Sequence, residues 1–243
     1  IYAVLTITFM ANQNVTGLTL TIFGVGISNF AGEFMLVNSA SSSLKLPEQI
    51  TAQISNINIP GISTIPVLGP LLFQYNSFVY LGLVIAIICG IYFSRTKTGL
   101  NVRAIGENPG SADAAGIKVT KLKYINVLIG GGICGIGGAY CSMIINGGVW
   151  MNNPVNGQGW IAVALVIFAA WKPLRAIFGS FIFGAFNILK YYFPKTIFTI
   201  PNAFYDMLPF VITALVLVVT SIRKSKENSQ PASCGVNYFR EER

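Results

Sequence analysis

Long apolar runs separated by shorter polar ones set the pattern of this chain. A helix that crosses a bilayer needs about 20 apolar residues, with a usable range of about 17–25. Six runs approach that requirement: about Val15–Val37, Ser77–Ser94, Lys121–Ile144, Gly159–Trp171, Leu174–Tyr192 and Tyr205–Ile222. No charged residue precedes Glu33, none lies between Gln49 and Ser94, and none between Tyr124 and Trp171. A soluble chain cannot hide uncharged stretches of that length in one core, whereas a bilayer can. The pattern predicts an all-α polytopic integral membrane protein, a helical bundle of about six transmembrane segments. The run Gly159–Trp171 is short for a full span. It follows the Gly/Asn/Pro-rich stretch Trp150–Gly157, a candidate for re-entry, since irregular backbone at membrane depth is tolerated only where protein or a water-filled cavity surrounds it. The opening stretch Ile1–Met10 lacks the basic n-region and small-residue cleavage site of a signal peptide. It reads as the end of a segment that begins earlier, so residues 1–243 are expected to form one transmembrane domain truncated at its N-terminus.

Basic residues orient the runs. Arg95, Lys97, Arg103, Lys118, Lys121 and Lys123 cluster in one loop, Lys172 and Arg175 in a second, and Arg223, Lys224, Lys226, Arg240 and Arg243 in the tail. Alternating spans put all three on one side, leaving only Lys45, Lys190 and Lys195 opposite. The rich side is cytoplasmic by the positive-inside rule. Residues 95–120 and the tail 223–243 are therefore expected in the cytoplasm, and the Pro-containing loop 38–76 outside it. The net charge of +8 follows topology and does not point to nucleic acid.

Composition narrows the chemistry. Charged residues make up 10% of the chain and hydrophobic ones 53%, against roughly a quarter charged in soluble domains. His is absent, Cys89, Cys134 and Cys141 fall inside apolar runs, and Cys234 lies in the tail. Neither a disulfide framework nor a metal site is indicated, and an intramembrane enzyme would need clustered His, Asp, Glu or an activated nucleophile. No enzymatic role is expected. Glu33 either faces a translocation path or sits in the headgroup zone. Asp206 is expected to cap a last helix whose first turn includes Pro209.

Two motif matches fail on context. Gly130–Gly135 fits G-x-G-x-x-G, but its flanks are a transmembrane run and no acidic residue follows at the required distance. Gly110 and Gly116-Ile117-Lys118 resemble a P-loop, but five residues separate the glycines where four are required, and Ile117 intrudes before the Lys. No cofactor is expected in this chain, and any ATP must be bound by a separate one. The glycines read better as close-packing faces: Gly131, Gly135 and Ala139 recur at four-residue spacing, as do Ala176, Ser180 and Gly184. These faces either pack helices or line a pore.

The cytoplasmic loop carries a short helix with explicit ends. Asn108 is a good N-cap, Pro109 a preferred first residue, and Gly116 suits the left-handed position past the C-terminus. Asp113 is expected to stay exposed. Two turns cannot hold themselves in water, so the helix either rests on its own membrane domain or inserts into a partner.

Arg103-Ala104-Ile105-Gly106-Glu107-Asn108-Pro109, then Ala112 and Ala114-Ala115-Gly116-Ile117, resembles the cytoplasmic signature of ABC importer permeases of the branched-chain amino acid, ribose and nucleoside superfamily. Ala11-Asn12-Gln13 with Gly17, Thr21–Gly24 with Gly26, Gly157–Ala164, Phe168 with Trp171 and Pro173, and Pro231, Gly235, Tyr238 and Arg240 resemble its nucleoside branch. Lys172 departs from the pattern, standing where a neutral Asn is usual. The resemblance implies a multi-pass permease in a bacterial cell membrane, moving a small solute by alternating access. Its implied partners are an ABC ATPase subunit, a second permease subunit and an extracytoplasmic solute-binding lipoprotein. It implies an ATPase-coupling loop built from Arg103, Gly106, Glu107, Asn108, Pro109, Ala112, Asp113, Ala115 and Gly116. Gly131, Gly135, Ala139, Gly157, Gly159, Trp160, Ser180 and Gly184 are the packing or pore-lining candidates. Nucleosides are the expected solute, with sugars or branched-chain amino acids as alternatives. The rival is a carrier or channel without ATPase, which predicts inverted repeats with broken helices.

Overall fold

The structure is a computed structural model that describes residues 1–39, 43–47, 49–50, 74–155, 157–192, 202–222 and 230–239. Pro60, Pro66 and Pro70 of the expected outer loop, Lys195, and the tail residues Arg223, Lys224, Lys226, Arg240 and Arg243 lie outside them. The described residues form helices α1 (Gln13–Asn38), α2 (Ser77–Arg95), α3 (Lys97–Glu107), α4 (Pro109–Ala114), α5 (Val119–Tyr140), α6 (Gln158–Phe168), α7 (Pro173–Tyr192) and α8 (Asn202–Ile222). Wider π turns occupy Val4–Thr8 and Cys141–Ile145, the latter prolonging α5. Among the described residues there is no strand, and Lys45 and Val149 form an isolated antiparallel bridge.

Three helices are long and apolar enough to cross a bilayer: Gln13–Asn38, Ser77–Arg95 and Val119–Ile145. Shorter apolar helices cover Gln158–Phe168, Pro173–Ile188 and Ala203–Val219. Of the six expected spans, three thus meet both conditions, and α6 with 11 residues is shorter than a span. Helices α7 and α8, with 20 and 21 residues, reach the length while their apolar stretches among the described residues are shorter. The long helices keep large apolar side chains exposed around them: Ile22, Phe30 and Phe34 on α1, Ile88 on α2 and Leu128 on α5. A helix apolar on every side is stable only inside a core or a bilayer, and among the described residues no core covers these. The protein is a helical membrane protein.

The chain divides into two compact units. The first comprises Ile1–Gly82, Asn101–Asn156 and Ser233–Arg243. Here α1 starts on Asn12, whose side-chain oxygen accepts from the backbone N–H groups of Asn14 and Val15 at 3.0 and 3.1 Å. At the far end of α1, Gly32 lies against Trp150, and a Cβ there would fall 2.0 Å from the indole ring. Trp150 is held by its own N–H, which donates to the Leu44 carbonyl at 2.9 Å, while Leu46 N–H donates to Gly148 at 2.9 Å. Gly147, Gly148 and Asn153 have positive φ, so this stretch is a chain of turns. Gly32→Ala is expected to cost about 1–3 kcal/mol by overpacking. Trp150→Ala in the same chain should relieve that clash, so the double variant is destabilised less than the sum of the singles. Thermal midpoints of the four purified proteins test this, and strict additivity would rule it out.

The second unit comprises Leu83–Leu100 and Gly157–Ala232. In it α6, α7 and α8 pack on one another. Gly179 gives α7 its close approach, since a Cβ there would lie 2.8 Å from Leu165 and 3.0 Å from Phe168. Phe168 and Phe183 meet edge to face at 5.5 Å. The Thr213 hydroxyl donates to the Pro209 carbonyl at 2.8 Å and reaches the Ala164 carbonyl at 3.4 Å. Helix α8 begins at Asn202, a turn earlier than the expected Tyr205, so Asp206 is not its N-cap and Pro209 lies inside the helix. Tyr205 is buried, and the packing it gains rewards the added turn over the local preference of Pro for a first turn.

Candidate functional site

The segment between α2 and α5 is built from local chemistry upward. Helix α3 begins where the Thr96 hydroxyl accepts from the Gly99 N–H at 3.0 Å, and it carries Ile105 into the interior. This helix was not anticipated, because Gly99, Gly106 and the charges Lys97 and Arg103 obscure its periodicity. Helix α4 has the expected ends. The Asn108 side chain accepts from Ser111 N–H at 3.0 Å, and Pro109 occupies the first turn. Gly116 stands at φ 81°, with its N–H on the Asp113 carbonyl at 2.9 Å and Ile117 N–H on the Ala112 carbonyl at 3.1 Å. That pair of bonds is a Schellman closure, which satisfies the carbonyls the helix end would otherwise leave open.

What supports α4 is a small apolar cluster. Ile105, Ala112 and Val119 are buried at 6, 4 and 4% exposure, with Ala104, Ile117, Leu122 and Tyr238 packed around them. Tyr238 comes from the tail, and its hydroxyl donates to Asp113 Oδ2 at 2.9 Å. Asp113 is accordingly half-buried and hydrogen-bonded, which corrects the expectation that it stays exposed. A bond between groups 125 positions apart leaves no local signal.

The tail is fastened further. Ser233 N–H donates to the Gly106 carbonyl at 2.9 Å and its hydroxyl to the Glu107 carbonyl at 3.1 Å. Asn237 donates to the Met10 carbonyl and accepts from Gln13 at 3.3 Å. These bonds place the tail, the α3–α4 segment and the start of α1 at one end of their unit. The Lys123 ammonium sits 5.9 Å from the centre of the Tyr238 ring. Lys118, Lys121, Lys123 and Asp113 line an open cavity of about 580 Å³ there, so the local field is positive.

Of the expected loop residues, Arg103, Glu107, Asn108, Ala115 and Gly116 are exposed, Gly106, Pro109 and Asp113 half-buried, and Ala112 buried. The loop thus separates into an inner support and an outer surface of Glu107, Ser111, Ala114, Ala115 and Gly116. The packing candidates lie elsewhere and are not brought together with it. A Cβ at Gly131, Gly135, Gly157, Gly159 or Gly184 would meet nothing within 4 Å. Ala139 is half-buried and Trp160 exposed, and the exposed Ser180 bonds the Ile177 carbonyl in its own helix at 2.7 Å. Gly179 makes the close contact in α7 instead. Lys172 follows Ala170 and Trp171, whose φ of 51° and 55° is a conformation that disfavours side chains. Among the described residues no three metal-ligating side chains gather.

The chain is 32% identical over 244 residues to the nucleoside ABC transporter permease protein NupC of Lactococcus lactis subsp. cremoris, covering 99% of this chain and 73% of that protein. It is 33% identical over 224 residues to the guanosine ABC transporter permease protein NupQ of Bacillus subtilis, covering 89% and 67%. An ABC transporter permease protein of Haloferax volcanii, named provisionally for glucose, is 32% identical over 190 residues, and the chain spans 55% of its length. No solved structure matches. Residues 1–217 match the family described as branched-chain amino acid transport system, permease component. The chain belongs to that family of membrane transport proteins.

Proposed function

We propose that this chain is a permease subunit of an ATP-driven importer for nucleosides, and that it receives the stroke of a separate ATPase through residues 103–116. The observation that carries the reading is the architecture of α4. A two-turn helix is capped at both ends, anchored by one buried residue, and presents a surface of small side chains with exposed Glu107 and Arg103 beside it. Such a surface can enter a groove of a second protein without steric cost. The names of the L. lactis and B. subtilis relatives support nucleosides as the solute, and the H. volcanii relative's name makes a sugar the alternative. A second permease subunit and an extracytoplasmic lipoprotein complete the proposed assembly, which works by alternating access in the bacterial cell membrane. The open face of Gly131, Gly135 and Ala139 is available for helix packing or for the solute path. On this reading the α4 end and the tail face the cytoplasm, in keeping with the distribution of Lys and Arg.

Purification from the native membrane tests docking. An ATPase subunit is expected to accompany the wild-type chain, to be depleted at least about tenfold by Ala115→Arg, which adds a long cation to the surface, and to be weakened by Glu107→Ala. A tenfold loss corresponds to about 1.4 kcal/mol. No ATPase with the wild-type chain would end the importer reading. An equal amount with both variants would end the assignment of this surface. Uptake of labelled nucleosides against glucose, ribose and leucine in a deletion strain decides the solute.

A further inference from the structure

We propose that Tyr238 is a positioning residue for energy coupling: the tail segment 233–238 straps α4 to the membrane domain so that a push on the helix moves the spans. The inference rests on the docking role proposed above. Three observations carry it. First, α4 has only six residues, far fewer than the ~12 at which an isolated helix becomes marginal, so its position is set by what it touches. Second, of the residues packed in or around its supporting cluster, Tyr238 alone comes from outside residues 104–122. The rest belong to the end of α3, to the residues just after α4 or to the first turn of α5, and are tied to α4 through short stretches of backbone. Third, the strap is tied at separate points. Tyr238 holds Asp113 on α4, Ser233 holds the last turn of α3, and Asn237 holds Met10 and Gln13 at the start of α1.

Force entering at the α4 surface therefore has a route that bypasses the loop's own backbone, running through Asp113 and Tyr238 to Asn237 and α1. Without the strap, α4 keeps its caps and its outer surface, so it still docks. It then yields under load, and ATP is hydrolysed with less solute moved. The residue's expected signature is uncoupling, which distinguishes it from a residue that contacts the ATPase.

The test uses the full complex in vesicles, comparing wild type with Tyr238→Phe, which keeps the ring and removes the hydroxyl, and Tyr238→Ala, which removes both. Both variants are expected to retain the ATPase subunit and its hydrolysis. Solute moved per ATP should fall about three- to tenfold in Tyr238→Phe and further in Tyr238→Ala. Asp113→Leu should match Tyr238→Phe, and the double variant should be no worse than either single. An unchanged ratio in Tyr238→Ala, or strictly additive losses in the double variant, overturns the proposal.

A second readout is independent of docking. The Ser233 N–H is held on the Gly106 carbonyl. That amide should exchange several-fold faster in Tyr238→Ala. Faster exchange in a preparation without any ATPase supports the strap while the docking reading fails. An unchanged rate overturns the strap even where docking holds.

Discussion

Ala112→Asp is expected to unlock the α4 segment and, on the importer reading proposed above, to abolish ATP-dependent uptake. Ala112 is 4% exposed and belongs to a cluster with Ile105, Val119, Ile117, Leu122 and Tyr238, an apolar setting whose one side-chain hydroxyl, that of Tyr238, already donates to Asp113. Burying an uncompensated acid costs several kcal/mol or forces the site open. Opening is the cheaper path here, because two turns of helix have little cohesion of their own. Amide exchange should report it: protection across residues 105–119 falls at least about a hundredfold, the equivalent of about 3 kcal/mol. Exchange in the long spans stays as it was. Ala114→Asp is the control. Its position is exposed, and protection there should change little. Equal protection in the two variants would mean that the apolar cluster does not hold α4.

The second large effect is expected at the corner between α2 and α3. A Cβ on Gly99 would stand 2.0 Å from the Tyr92 carbonyl oxygen and 2.8 Å from the Phe93 Cα. Both are backbone atoms, so no rotamer change relieves the clash and the corner itself must open. Overpacking of this kind typically costs 1–3 kcal/mol. At 2–4 °C of midpoint per kcal/mol for a chain of this size, Gly99→Ala should lower the thermal midpoint in detergent by roughly 2–12 °C, and Gly99→Val by more. Gly82→Ala, with nothing within 4 Å of its Cβ, should leave the midpoint where it was. A Gly99→Ala protein that melts with the wild type would show that α3 leaves α2 by another path.

The two sites differ in how far they could be read beforehand. The ends of α4 were legible because capping is a dialogue between neighbours: Asn108 with Ser111, Gly116 with Asp113. The same local logic misread α8, where Pro209 and Asp206 suggested a start near Tyr205 and the burial of Tyr205 carried the helix back to Asn202. Four-residue spacing pointed to Ala176, Ser180 and Gly184 in α7, yet the close contact is made by Gly179 against Leu165 and Phe168. A spacing rule finds a face without saying which face a neighbour will choose. Helix α3 went unseen because two glycines and scattered charges interrupt its pattern, and its cohesion comes from Ile105 in a shared cluster.

By itself the sequence determined that this is a helical membrane protein, where its apolar runs fall, and how the short helix α4 is capped, because bilayer thickness and capping act over contiguous residues. Its motifs also pointed to the family that the match over residues 1–217 establishes. Only the tertiary structure decided what α4 rests on, that Ala112 is support and Glu107 surface, and that Tyr238 reaches Asp113 across 125 positions. Those are matters of which distant groups share a volume, and folding alone brings them together.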